Sequence, residues 1–328
     1  MKACVLHSIG DLRCEEVATP VRKPGEALIR IMASGICGSD LPRVLEKGTY
    51  HFPTIPGHEF SGQVVEADDA ELIGRKCTVF PLLPCRKCVS CESGHYAQCE
   101  NYNYFGSRCD GGFAEYLSAP LWNVLPAPDD LSYEEIAMAE PCAVALHSLQ
   151  RAAMKAGDSI CVFGAGPIGV MIGKWARLKG AGRVFLIDID PKKAAFARQL
   201  GFETEIDGQA DIVIEGAGVS PTFERAMACA KPFGTVVLMG NPAKSMELTQ
   251  KGYWEILRKE LTVRGTWNSG YSSRENDWAT ALACMERLDL ASLVSHRFDL
   301  SQCNEAFAMM AARKEYFSKV MFVVPPAK

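Results

Sequence analysis

The chain has 328 residues, 48% of them hydrophobic and 23% charged, with a formal net charge of −4. That length suits two domains better than one, and the composition is ordinary for a globular protein. No basic stripe points to nucleic acid or an anionic membrane, and no window approaches the ~20 apolar residues of a bilayer span.

The opening residues, MKACVLHSIGDLRCEE, turn charged too soon for a signal-peptide core, so a cytoplasmic protein is expected. In that reducing setting the 14 cysteines point to metal or to packing rather than to disulfides. Residues 1–146 read as short strands broken by Gly and Pro: EALIRIMA, SGQVVEA, KCTVFPL and GGFAEYLSA. From Tyr133 to about Lys155 the apolar spacing becomes helical, at Ile136, Ala137, Ala139, Val144 and Leu149. Residues 159–240 then alternate strand and helix: SICVFGAG, PIGVMIGKWARLKG, RVFLIDID, PKKAAFARQLG, DIVIEGAG, ERAMACAKPFG and TVVLMG. That rhythm predicts a parallel sheet with crossover helices. A last helix from Asn304 to Arg313 and a last strand, KVMFVV, are expected to rejoin the first domain.

Two constellations in the first domain carry metal chemistry. Cys37 and Ser39 stand in GICGSD, His58 and Glu59 in PGHEFSG, and Glu140 in MAEPCAVALH. A catalytic zinc needs about three protein ligands and one open position, which Cys, His and a carboxylate satisfy. Zinc lowers the pKa of an attached hydroxyl, and Ser39 is placed to take the proton. Singly, such residues are more often packing; GICGSD and PGHE together, followed by a cysteine lobe, change that balance. In the lobe 85–99, Cys85, Cys88, Cys91 and Cys99 form C-x2-C-x2-C-x7-C. Four thiolates close a tetrahedral shell with no position for substrate, so this second zinc is structural.

The coenzyme motif is GAGPIG: Gly164, Gly166, Pro167, Ile168 and Gly169, between a predicted strand and a predicted helix. The first glycine makes the turn, the second admits the pyrophosphate, and the third packs helix on strand. Asp188, at the end of the next strand, suits the ribose hydroxyls of NAD and repels a 2′-phosphate, while Lys193 could cover the adenine or ribose edge.

With these residues in place the sequence resembles the zinc-containing medium-chain dehydrogenases over essentially its whole length: GICGSD, PGHEFSG, the four-Cys lobe, DGGFAEY, AEPCAVALH, GAGPIG and KVMFVVP. The resemblance implies an α/β protein with a Rossmann coenzyme domain and a β-rich GroES-like catalytic domain. The expected division is 1–146 with 291–328 for the catalytic domain and 147–290 for the Rossmann domain. It further implies two zinc ions per chain, NAD, and a homodimer or homotetramer built through the Rossmann domains. Glu140 in an E-P pair resembles the sorbitol-dehydrogenase branch, with Glu59 as a carboxylate that swaps on and off the metal and Cys142 as the rival to Glu140. Within the branch, CGSDLPR, GHEFSG, PLLPCRKC, FGSRCDGGFAEY and RKELTVRGTW resemble the galactitol-1-phosphate 5-dehydrogenases. These oxidise their substrate to L-tagatose 6-phosphate.

The sequence also departs from its relatives. Pro42 stands where liver-type enzymes carry a relay histidine, so Ser39 must hand its proton elsewhere. A phosphorylated substrate calls for a cation, and Arg43 and Arg108 are the candidates, with surface or inter-domain ion pairs as their plainer reading. Tyr50, Phe52, Phe105 and Trp267 line the cleft or belong to the core. The competing readings are an unphosphorylated polyol, 2,3-butanediol or L-threonine as substrate. In another class, they are a zinc-free quinone reductase or a binding protein on the same fold.

Overall fold

The computed structural model describes residues 1–324; residues 325–328, expected with the catalytic domain, lie outside that range. The chain forms two compact units. One comprises Met1–Glu140 and the segment from Gly270 onward, the other Pro141–Ser269.

The first unit opens with a hairpin of β1 (Lys2–Ser8) and β2 (Asp11–Glu16). β3 (Glu26–Ile36) is rich in Ile and Ala and mostly buried, as a central strand requires. A short turn, α1 (Asp40–Pro42), separates it from β4 (Glu59–Ala67), with which it pairs antiparallel. β5 (Lys76–Val79) follows, and then β6 (Leu82–Leu83) and β7 (Asn103–Tyr104) pair with each other. Between them lies the cysteine lobe, with one turn of helix, α2 (Val89–Glu92). β8 (Tyr116–Pro120) and β9 (Val124–Pro126) complete the strands of this stretch. The GGFAEYLSA segment is therefore strand only in its second half. Its first half braces the loop ahead of His58, through Gly111 N to Ile55 O, Gly112 N to Gly57 O and Phe113 N to Pro56 O. The expected helix from Tyr133 is two. α3 (Tyr133–Ala137) starts on a capping box of Ser132 and Glu135, and α4 (Ala139–Ala152) begins after a break at Met138.

The second unit continues with β10 (Ser159–Phe163), α5 (Pro167–Leu178), β11 (Arg183–Ile187), α6 (Pro191–Gln199) and β12 (Ala210–Glu215). It closes with α7 (Ser220–Cys229), β13 (Ala230–Leu238), α8 (Gln250–Lys259) and β14 (Thr262–Gly265). All neighbouring strands are parallel, in the order β11-β10-β12-β13-β14. The order turns outward in both directions from β10 and β12, which is a Rossmann-type switch point. Cys161, Phe163, Phe185, Val213, Ala226, Met227 and Val236 fill part of its core.

The chain then returns to the first unit with α9 (Asp277–Leu288), β15 (Val294–Phe298), α10 (Cys303–Ala312) and β16 (Lys319–Val323). β16 pairs with β3, giving a sheet ordered β15-β16-β3-β4-β5-β9, with β8 also on β3. The return comes earlier than residue 291 because aromatic packing recruits the preceding segment. Tyr271 and Trp278 pack on Phe80 at ring separations of 4.5 and 5.5 Å, and Tyr271 Oη donates to Trp122 O at 2.8 Å.

Candidate active site

β3 and β4 bring the first constellation together. Cys37 follows the end of β3, and His58 and Glu59 stand at the start of β4, where Gly35 and Glu59 are register partners. One donor atom from each of Cys37, His58 and Glu59 lies within 4.8 Å of the others. Glu140, in the first turn of α4, is not part of that cluster, and Tyr104 Oη donates to its Oε1 at 3.3 Å. Cys142, the rival ligand, is fully buried and is also outside the cluster.

Three further residues complete the centre. Asp40, fully buried, accepts from Cys37 N at 2.9 Å, and its Oδ1 lies 3.4 Å from His58 Nδ1. That approach is close enough for an ion pair, but it is not aligned as a hydrogen bond. Lys319, the first residue of β16, donates from Nζ to Glu59 Oε2 at 2.5 Å, and both side chains are buried. Gly35 makes this crossing possible, because a Cβ there would stand 2.5 Å from Glu59 Oε2.

Charge dominates this pocket. Burial pushes the Glu140 carboxyl up to about 7, with the Glu59 charge adding to the effect and His58 opposing it. Burial alone would depress His58, yet the charges of Asp40 and Cys37 hold it well above its usual value. Burial likewise opposes the charged form of Lys319, and Glu59 more than restores it. A thiol, an imidazole and several carboxylates therefore share a buried space with a single ammonium group. Such a donor set fits a divalent cation of zinc's softness.

The neighbouring residues are engaged with one another. Ser39 Oγ donates to Cys37 Sγ at 3.2 Å and accepts from Arg43 Nη1 at 3.2 Å. Arg43 Nη1 also reaches Asp40 Oδ1 at 3.5 Å. Arg108 lies between the rings of Tyr50 and Tyr102, at 4.1 and 4.4 Å, and donates to Tyr50 Oη and Tyr102 O. Tyr50, Phe52 and Trp267 are exposed, whereas Phe105 is core, edge-on to Phe60.

The lobe gathers its four cysteines as the spacing predicts. Their sulfurs lie within 4.8 Å of one another, with Cys85–Cys91 at 3.9 Å and Cys88–Cys99 at 4.0 Å. A tetrahedral zinc with bonds of about 2.3 Å separates its sulfurs by about 3.8 Å, while a disulfide would bring two of them to about 2 Å. The lobe therefore has the dimensions of a Cys4 zinc site.

In the second unit the glycine turn adopts the required shape. Gly164 has φ +112°, and a Cβ on Gly169 would lie 1.9 Å from Gly164 O, so both positions need glycine. Gly166 caps α5 with no side chain over its first N–H groups, and Pro167 occupies the first turn with Ile168 beside it. Asp188 follows β11; its carboxylate accepts from Ala165 N and Asp190 N, each at 2.9 Å, with Lys193 Nζ 3.9 Å away.

Residues 23–129 match the alcohol dehydrogenase GroES-like domain and residues 167–287 the zinc-binding dehydrogenase domain. The chain is 35% identical to the galactitol 1-phosphate 5-dehydrogenase of Escherichia coli strain K12, over 90% of this chain and 92% of that protein. A crystal structure of galactitol-1-phosphate dehydrogenase from Escherichia coli superposes with a TM-score of 0.91 at 34% identity, covering 99% of this chain and 100% of that one. A zinc-binding dehydrogenase from Sinorhizobium meliloti 1021, solved with NADP, gives a TM-score of 0.90 at 29% identity, covering 98% and 99%.

Proposed function

Because the chain belongs to the zinc-containing medium-chain dehydrogenases, and among them is a polyol or sugar-alcohol dehydrogenase, we propose that it oxidises a secondary hydroxyl of a polyol phosphate with NAD, galactitol 1-phosphate going to L-tagatose 6-phosphate. The observation that carries this reading is the convergence of half-buried Cys37 with buried His58 and Glu59 in one cluster, with Arg43 within reach of Ser39.

Cys37 and His58 would hold the catalytic zinc together with a carboxylate, either Glu59, which lies in their cluster and on Lys319, or Glu140, which lies outside it on Tyr104 and would exchange with Glu59. When bound there, zinc supplies Lewis acidity that brings an alcohol's pKa toward neutrality. Asp40 stands 3.4 Å from Nδ1 of His58 and acts on its ring through charge. Ser39 takes the hydroxyl proton. In doing so Ser39 gives up its own Oγ–H proton to water or a cofactor hydroxyl, so that it ends neutral, and the Arg43 guanidinium on Oγ favours the alkoxide character that Oγ takes on as its proton leaves. Gly164–Gly169 and Asp188 would hold NAD, which when bound would supply the acceptor for the hydride of the secondary carbon. The four lobe cysteines would hold the structural zinc. Asp188 favours NAD over NADP by repelling a 2′-phosphate.

A second reading, an unphosphorylated polyol, is favoured by one observation. Both candidate cations are already occupied, Arg43 by Ser39 and Asp40 and Arg108 by two tyrosines. A panel of polyols, each with and without its phosphate and with NAD and NADP side by side, followed at about 340 nm by the reduced nicotinamide, separates the two. If Arg43 grips phosphate, Arg43→Ala raises KM for the phosphorylated polyol by roughly tenfold or more, the loss of one charge-assisted contact. Equal KM values in Arg43→Ala and the unaltered enzyme remove Arg43 from that role.

A further inference from the structure

One buried acid in the second unit lies outside every role assigned so far. Glu215 ends β12, is 1% exposed, and turns its carboxylate back toward its own chain. Oε1 accepts three hydrogen bonds: from Ala217 N at 3.0 Å, Gly218 N at 2.8 Å and Thr222 Oγ1 at 2.7 Å. Its backbone oxygen accepts two more, from Met239 N at 2.9 Å and Gly240 N at 2.8 Å. One residue thus ties together the loop leaving β12 and the loop leaving β13.

The two loops are pressed together around this residue. A Cβ on Gly240 would lie 2.7 Å from Glu215 Oε2 and 2.1 Å from Gly218 N, and Gly218 itself has φ +69°. On its other side, the loop after β12 leans on the coenzyme turn. Gly216 N donates to Phe163 O at 2.9 Å, and a Cβ on Gly164 would be 3.5 Å from Gly216. The loops held by Glu215 therefore stand at the carboxyl ends of β12 and β13. Asp188 stands at the carboxyl end of β11, across the switch point.

A dinucleotide in an open parallel sheet lies across such a switch point, outside the carboxyl ends of the strands. With its adenosine ribose on Asp188, its nicotinamide half must lie over β12 and β13. An acid so close to a diphosphate site costs binding unless its charge is spent locally, and three donors on Oε1 spend it.

We propose that Glu215 is a positioning residue of the coenzyme crevice, holding the 216–218 and 239–241 loops in the shape that seats the nicotinamide half. The inference rests on the assignment of the crevice to a nicotinamide dinucleotide. The test uses the full chain and two probes, NADH and 5′-AMP, each titrated by calorimetry. Glu215→Ala raises the Kd for NADH about tenfold, since several hydrogen bonds that shape the loops are lost, and leaves the Kd for 5′-AMP within about twofold. Glu215→Gln keeps an acceptor oxygen and restores NADH binding to near the unaltered value. General loosening of the unit would instead weaken both probes alike, and that outcome overturns the proposal. So does an unchanged Kd for NADH in Glu215→Ala. Should Glu215→Ala not fold, Thr222→Val removes one donor and gives a smaller loss of the same selectivity; equal losses for the two probes count against the proposal there too. If the unaltered protein binds 5′-AMP but not NADH, the coenzyme assignment fails, a result distinct from failure of Glu215 alone.

Discussion

At the scale of single residues, the metal centre depends on donors that are costly to bury and cheap to keep only as a set. Cys37, His58 and Glu59 converge, and each is held by a neighbour that has no place in the ligand count: Ser39 on the thiol, Asp40 by the imidazole, Lys319 on the carboxylate. Cys37→Ser should lower kcat/KM by about a hundredfold or more, the scale of losing a group that stabilises charge in the transition state. It should also reduce zinc from about two per chain to about one by atomic spectroscopy, the lobe keeping its own ion. Unchanged turnover would remove Cys37 from the centre. Lys319→Met should destabilise the fold by about 3–5 kcal/mol near neutral pH, because it leaves the Glu59 carboxylate buried without its partner. Restoring the melting temperature in the double variant Lys319→Met with Glu59→Gln would identify that lone charge as the cause.

Much of this centre could be read from the sequence. GICGSD, PGHE and the cysteine lobe each pick out candidate donors by spacing, because short loops between strands leave few ways to place them. Asp40 stood in view at the end of GICGSD but has no spacing rule of its own. Lys319 and Tyr104 were out of reach for a different reason: Lys319 is brought in by the pairing of β16 with β3, 260 positions from Glu59, and Tyr104 by the separate hairpin-like pair β6 and β7. The carboxylate in the cluster is Glu59, with Glu140 held beside it by Tyr104. A helical register alone could not fix which of the two stands nearer.

At the scale of elements, the alternation over residues 159–240 was legible because its strands carry apolar runs, such as SICVF and RVFLI, and its helices carry terminal signals, such as Pro191 and Gly201 around α6, whereas β14 (TVRG) is short and exposed along its length and gave no such pattern. The break at Met138 was not, since both halves share one apolar periodicity. One charged cluster pins this sheet at the amino ends of its strands. Asp211 accepts from Ser159 N and Oγ at 2.9 and 2.6 Å and from Lys231 Nζ at 2.9 Å. Although burial opposes ionisation, the hydrogen bonds from Ser159 and Lys231 lower its pKa to about 2. Its folded-state pKa is below its unfolded value of 3.8, so its contribution is present above pH 3.8 and is lost as pH falls toward about 2. Chemical denaturation between those limits should show a shallower loss of stability with acid in Asp211→Asn than in the unaltered protein. Identical slopes would show that other carboxyls carry the acid response.

At the scale of the whole molecule, the two kinds of chemistry reside in different compact units: the metal donors in one, the glycine turn and Asp188 in the other. Dialysis against a strong chelator should therefore abolish polyol oxidation while NADH still binds, as read by the quenching of tryptophan fluorescence. Loss of NADH binding in step with zinc would show that the two functions are not separable in this way.

The salt bridge between Glu59 and Lys319 has a consequence for synthesis. Its partners are 260 positions apart, and Lys319 lies on the strand that pairs beside β3 late in the chain. A polypeptide still emerging from the ribosome exposes Cys37, His58 and Glu59 long before the cation that neutralises Glu59 has been translated. Until then the nascent sheet lacks both its neighbour along β3 and the counter-charge at its centre.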